Sequence, residues 1–583
     1  MMRNKNYTLS GHKTCIIVLC GIHKHPIWGQ DVNEFKPERW LAPDCPKTFS
    51  AFGLGKRNCI SKTYAMMSMK TTLAHVIRHF KIEADHTKMR VKIGVMIKSE
   101  TGHHIILVWI KYGRDKSNIP LPPAFPGKLP LVGHAFTLLK YFADCHKFMK
   151  NLAEDCAKKG GVTHFYFGSE LYYLIFDPQD ALTAANACLT RHYAYELGKD
   201  WMGDGLITSS GDIWKRHRKL LNPAFTLPVI YGFLDVFNSQ SKKLVRSMEP
   251  HVGKGLFDHF PYMKHNALET LCVGALGINA IDDKEFAQKY MESVNEMINT
   301  VVMRAIKFWL QNDFIYRLTG LKKKEEEVLK SLHAMTNTVL QKKKAAMKNE
   351  ALNNTSEFES TGTKSKAFLD LLLELSKNGL LTDREIREEL DTIVAAGYET
   401  TSNQLTFALG LLGAHPEVQE KLYKELIEVV GSDKDVEKDD VNKLVYTNAV
   451  LMEVLRMFPS VPVFLRYVDK DVKLKNYMMR AGSYCLLFPL ASHHDQSWGA
   501  HTDQFRPERW LDGDFRNNKE FAAFGLGKRA CIGRTYAMVS MKVTLAHLLL
   551  RYRVKADISK IKLTYEFVVR PVAGYEISIE RRT

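Results

Sequence analysis

The sequence holds ten cysteines in 583 residues, at 15, 20, 45, 59, 145, 156, 188, 272, 485 and 531, and no C-x-x-C pair. That excludes zinc-ribbon and thioredoxin-like chemistry. The spacing does not read as a disulfide framework, so reduced thiols in a cytosol-facing protein are expected. Long apolar runs are missing too. The longest near the start, 105–110, is far short of the roughly 20 residues that span a bilayer. The run 15–20 is too short for a signal-peptide core, which needs about 7–15 apolar residues. Flavin and nicotinamide motifs are absent, and the Gly-Leu-Gly-Lys-Arg stretch at 525–529 lacks the spacing of a phosphate loop. There is a net charge of +18, but no compact basic run with interleaved aromatics, so a nucleic-acid partner is not expected.

Hydrophobic residues make up 45% and charged residues 25%, which fits a folded globular chain. The chain also repeats itself. Phe505-Arg506-Pro507-Glu508-Arg509-Trp510 has a twin at Phe35-Lys36-Pro37-Glu38-Arg39-Trp40, and the loop from Phe524 to Cys531 has one from Phe52 to Cys59. The offset is 470 before a two-residue gap near Cys45 and 472 after it, so 5–107 copies 475–579. Two units that far apart are not a solenoid, which needs about three stacked repeats. The expected organisation is a partial, non-functional duplicate at 1–110, a junction and proline-rich hinge at 111–130, and the body at 131–583. The hinge, Ile119-Pro120-Leu121-Pro122-Pro123, reads as stiff extended chain. The body reads as mostly helical, with strands near 162–176, 461–490 and the C-terminus.

Four patterns in the body carry chemistry. Cys531 sits in Phe524-Gly525-x-Gly527-x-Arg529-x-Cys531-x-Gly533 before an amphipathic helix at 535–550. Glycines let backbone approach a flat ligand, and a helix N-terminus with a nearby cation favours thiolate. Glu453-Val454-Leu455-Arg456 places two charges at i and i+3, on one helix face. A capping box, Thr382-Asp383-Arg384-Glu385, opens a long helix that His415-Pro416 closes. Inside it lies Ala396-Gly397-Tyr398-Glu399-Thr400-Thr401, whose Glu399–Thr400 acid–alcohol pair can relay protons. Trp214-Lys215-Arg216-His217-Arg218 supplies an aromatic and a cation one turn apart.

In this order, the four patterns resemble those of the cytochrome P450 superfamily, over essentially all of 119–583. The stretches around Leu206-Ile207-Thr208 and Phe458-Pro459-Ser460 look like its microsomal family-four clan. The resemblance implies a mainly α fold with small β-sheets, in one large domain. It implies a haem-thiolate monooxygenase that converts R–H, O2, two electrons and two protons into R–OH and water. Cys531 would be the axial thiolate on the iron of haem b. Trp214, Arg218, Arg466 and Arg529 would hold the propionates, with Phe524 beside the cofactor. Glu399 and Thr400 would deliver protons. Glu453, Arg456 and Arg509 would form a structural charge cluster.

Relatives in the family draw electrons from NADPH through NADPH-cytochrome P450 reductase, with cytochrome b5 as a second donor. Lys528, Arg534 and Lys542 are the candidate docking cations. The substrate is expected to be a lipophile such as a fatty acid, hormone or xenobiotic. The expected location is the cytosolic face of the endoplasmic reticulum membrane, with the N-terminal anchor displaced by the extra copy. Many family-four members have a Glu where this chain has Ala396, so no ester to haem is expected here. Cys59 lacks the upstream helices and is expected to bind nothing. The rival class is an inactive fusion product that binds haem poorly or not at all.

Overall fold

The structure is a computed structural model. It describes residues 22–42, 46, 49–53, 58–84, 91–93, 97–99, 105–109, 120–129, 133–134, 156, 158–276, 284–353, 368–494, 498–499, 501–511, 521–565 and 568–582. Much of the junction at 111–130 and positions 54–57 of the twin loop fall outside these residues. The chain divides into two units, 1–118 and 119–583. The division falls inside the expected junction and assigns the proline stretch to the second unit.

In the first unit, prolines start two short turns, Pro26–Trp28 and Pro37–Trp40. Proline suits a first helical position because its missing N–H would be unpaired there anyway. Helix α1 (Lys62–His79) follows, then strand β1 (Phe80–Ala84), which pairs antiparallel with β2 (Ile105–Trp109).

In the second unit the proline hinge is docked on the fold. Phe125 N–H donates to His164 O at 2.8 Å and His164 N–H to Pro123 O at 3.0 Å. His164 belongs to β3 (Val162–Phe167), which joins β4 (Glu170–Ile175). Helices α2 (Pro178–Ala187), α3 (Gly211–Leu221), α4 (Leu234–Met248) and α5 (Phe260–Leu276) come next. Further helices occupy Lys284–Ile306, Leu321–Asn353 and Phe368–Lys377.

The long helix is α6 (Asp383–Ala414), and both bonds of its capping box form: Thr382 N–H to Glu385 Oε2 at 2.8 Å and Glu385 N–H to Thr382 Oγ1 at 3.2 Å. It ends two residues before Pro416, as the sequence predicts. Most of its length is buried on every side, which marks a core helix. At Gly397 it meets α5 so closely that a Cβ would lie 2.9 Å from Leu271 Cδ1.

Helix α7 (Val445–Met457) leads to β5 (Phe464–Val468) and β6 (Ser483–Leu487). The four-stranded sheet runs β3-β4-β6-β5, with β4 and β6 parallel. Helix α8 (Arg534–Arg551), strand β7 (Tyr552–Ala556), β8 (Val569–Ala573) and β9 (Ile577–Arg581) complete the chain, with β7 and β9 antiparallel.

Helix α8 is clamped by apolar contact and by side-chain bonds. Leu545, Leu548 and Leu549 are buried with α4, α6 and α7 residues in one core, each worth about 1.5–3 kcal/mol of burial. His547 Nε2 lies 2.8 Å from Asn238 Oδ1. Lys542 Nζ donates to Val441 O at 3.0 Å and is buried. This removes Lys542 from the expected docking cations: its charge points into the core. Lys528 and Arg534 are exposed as expected.

Candidate active site

A cavity of about 310 Å³ lies between α6 and the loop before α8. Its wall is largely apolar and includes Ile298, Val302, Phe368, Ile393, Ala396 and Val568. Of the eight residues expected at the site, six line it: Glu399, Thr400, Arg466, Phe524, Arg529 and Cys531. Trp214 and Arg218 stand behind it. Trp214 stacks under Arg529, whose guanidinium is 4.5 Å from the indole ring. Arg218 is close enough for its charge to act on Cys531.

The cysteine loop is held by local chemistry. Cys531 N–H donates to Phe524 O at 2.7 Å. Gly525 and Gly527 have φ of 78° and 63°, a region that side chains disfavour. Gly527 also packs on α2, where a Cβ would lie 2.5 Å from Asn186 Oδ1. The Cys531 thiol faces the cavity. Burial raises its pKa, and the Gly533 N–H with the Arg218 and Arg534 charges offsets this only partly. A bound metal cation would complete the shift toward thiolate, because it deprotonates a coordinating thiol.

The cavity also gathers guanidinium groups. Arg466 and Arg529 were expected. Arg191 was not: it follows α2 and bridges across to Arg466. Burial pulls Arg191 down to about 9 and Arg529 down to about 8, each lowered further by neighbouring arginine charges. Among the described residues, Arg191 Nε, Arg466 Nε, and Arg529 Nε and Nη1 are buried without a hydrogen-bond partner. Buried donors without acceptors are costly. Several crowded cations ask for an anion, and two carboxylates on one flat ligand satisfy them. The residues present fit a haem. No motif signals Arg191, because its role depends on a convergence of distant segments.

On α6, Thr400 Oγ1 donates to Ala396 O at 2.7 Å, the back-bond typical of a helical threonine. Ser460 Oγ donates to Thr400 O at 3.1 Å. Glu399 is buried, and Arg570 of β8 places its Nε 2.6 Å from Glu399 Oε1. Nothing in the local sequence of α6 announces that partner. The charge cluster forms as the sequence implies. Arg456 is bidentate on Glu453 at 2.8 and 2.9 Å, and Arg509 Nε donates to Glu453 Oε1 at 2.9 Å. Trp510 Nε1 adds a fourth bond to Glu453 at 2.9 Å.

Comparison with known proteins agrees with this geometry. The family model described as Cytochrome P450 matches residues 3–103 and 122–579. The chain belongs to the cytochrome P450 family. It is 31% identical over 474 residues to cytochrome P450 4c3 of Drosophila melanogaster, covering 78% of this chain and 89% of that one. It is 32% identical over 490 residues to cytochrome P450 4c21 of Blattella germanica, covering 82% and 97%. Cytochrome P450 4V2 of Homo sapiens is 30% identical over 484 residues, covering 81% and 92%. The chain is thus a P450 monooxygenase, similar to family-four members, with the mainly α fold expected of it. Membership implies haem held by a thiolate. Among the described residues, no helix is long and apolar enough to cross a membrane.

Proposed function

We propose that the protein inserts one oxygen atom of O2 into a lipophilic substrate, with Cys531 as the thiolate on the iron of haem b. The carrying observation is the apolar cavity lined by Cys531 and by three arginines with buried guanidinium nitrogens that lack acceptors. Haem, when bound, supplies the dioxygen activation that no side chain can. Arg466, Arg529 and Arg191 would hold its propionates, backed by Trp214 and Arg218, and Phe524 would lie beside it. Glu399 and Thr400 move protons toward the cavity, with Arg570 orienting the acid. The lining of isoleucine, valine and phenylalanine favours a fatty acid, hormone or xenobiotic over a polar substrate.

Electrons come from NADPH through NADPH-cytochrome P450 reductase, with cytochrome b5 as an alternative donor. The exposed Lys528 and Arg534, on the thiolate side, suit an acidic docking face. Reversing both charges slows reduction and flattens its salt dependence. Trp309, Phe314 and Leu318 are large apolar side chains exposed in one short stretch, which supports a membrane surface at the endoplasmic reticulum. Segment 1–110 is a partial duplicate without catalytic function.

The reduced, CO-bound absorption spectrum tests the reading. The thiolate-ligated band is expected; a band shifted to the position of a lost thiolate favours the inactive product instead. Because Ala396 replaces the ester-forming Glu, acid–organic extraction removes all haem from the protein, as mass spectrometry will show.

A further inference from the structure

Helix α3 turns Trp214, His217 and Leu221 inward. An imidazole thus occupies the middle of a buried stripe. His217 Nδ1 lies 2.7 Å from Glu389 Oε1, and both side chains are fully buried. Its Nε2 has two neighbours of opposite demand. Arg216 Nη2, a donor, is 2.9 Å away, and Glu385 Oε1, an acceptor, is 3.4 Å away. A neutral ring accepts from Arg216 and a protonated one donates to Glu385. The proton state therefore selects which neighbour Nε2 holds.

Glu389 and its neighbour Glu388 hold a second element. Glu389 Oε2 accepts from Leu206 N–H at 3.4 Å, and Glu388 Oε2 from Asp204 N–H at 3.1 Å. A Cβ at Gly203 or Gly205 would strike Glu388 or Thr392 of α6. The loop 203–206 is thus seated on α6, and its flanks Met202 and Ile207 line the cavity. One patch of α6 fixes both this loop and the helix bearing Trp214 and Arg218.

We propose that His217 is a positioning residue for the cofactor seat: through Glu389 and Glu385 it fixes α3 to α6, and its proton sets how firmly that seat holds haem. The proposal rests on Trp214 and Arg218 serving the propionates, as above. The charged groups facing His217 are Glu385 and Glu389 from α6 and Arg216 from its own helix. Glu388 is engaged by Arg384 at 2.7 Å, and the Asp204 carboxylate by Lys199 at 3.1 Å. With His217 protonated, two cations face two anions. With it neutral, the ring still donates to Glu389, whose carboxyl burial pushes up toward its neutral form, but the ion pairing between α3 and α6 is lost.

Burial opposes the imidazolium, but the Glu389 bond and charge and then Glu385 outweigh it, so His217 titrates above its ordinary 6.5. The grip is complete below 6.5 and fades as pH rises through the raised value.

The test is the rate of haem transfer from the full-length holoenzyme to excess apomyoglobin, followed by absorbance across that range. In the wild type the rate rises on the order of tenfold with pH, the worth of one charge-assisted hydrogen bond. In His217→Phe it is high and flat. In Glu385→Gln, which keeps the capping box, the rise moves to lower pH. A flat wild-type profile, or an unmoved rise in Glu385→Gln, overturns the proposal even if His217→Phe does not fold. A wild type without a thiolate spectrum fails the functional reading instead, so the two failures are distinguishable.

Discussion

Helix α1 and helix α8 share Thr-Tyr-Ala-Met near their starts and Thr-Leu-Ala-His further on. They also share local geometry. The Cys59 N–H donates to Phe52 O at 2.7 Å, as Cys531 does to Phe524, and Gly53 has φ of 83° against 78° at Gly525. The aromatic box repeats as well: Trp28–Trp40 and Trp498–Trp510 centroids are 5.3 and 5.5 Å apart. Burial is where they part. Leu73 is 53% exposed and its counterpart Leu545 0%; Phe35 is 98% exposed and Phe505 7%. Similar sequence dictates similar turns and helix, but helix stability comes mostly from packing. The partners of α8 are α4, α6 and α7. The first unit has no counterpart of them among its described residues.

The largest effect separates the two cysteines. Cys531→Ala abolishes thiolate-ligated haem and monooxygenation, while Cys59→Ala changes neither; absorption spectra and product formation check this. Next come the two arginine clusters. Arg509 is matched by buried Glu453, whereas Arg39 has half-exposed Asp31 at 3.3 Å. Glu453→Ala costs about 3–5 kcal/mol, read by denaturant unfolding, and Asp31→Ala leaves the unfolding midpoint in place. Leu545→Ala costs about 2–5 kcal/mol, and Leu73→Ala stays within about 0.5 kcal/mol.

The two copies also differ in pH dependence. Burial pulls Lys542 down to about 8 from an ordinary 10.5, against the Glu425 charge. The unfolded chain binds more protons between those values, so stability rises with pH across the window. Lys542→Met flattens that rise, and replacing the exposed Lys70 by Met leaves it intact.

Much of the fold was legible because its signals are local. The capping box at Thr382, the stop at Pro416 and the strand stretches near 162–176 and 461–490 all appear where the sequence places them. The order of the motifs carried the site. What the sequence hid depends on distant segments meeting. Arg191 joins the cation group only because β5 passes beside it. Arg570 reaches Glu399 from β8, and His217 finds Glu389 across two helices. Lys542 was misjudged because helical spacing near the cysteine loop did not reveal that its face looks inward.

The most direct test of the central claim is the haem content per chain of the full-length protein, measured together with the reduced CO spectrum. One haem per chain with thiolate ligation, unchanged in Cys59→Ala and lost in Cys531→Ala, is the predicted result. Two haems per chain, or a thiolate spectrum that survives Cys531→Ala, would contradict it.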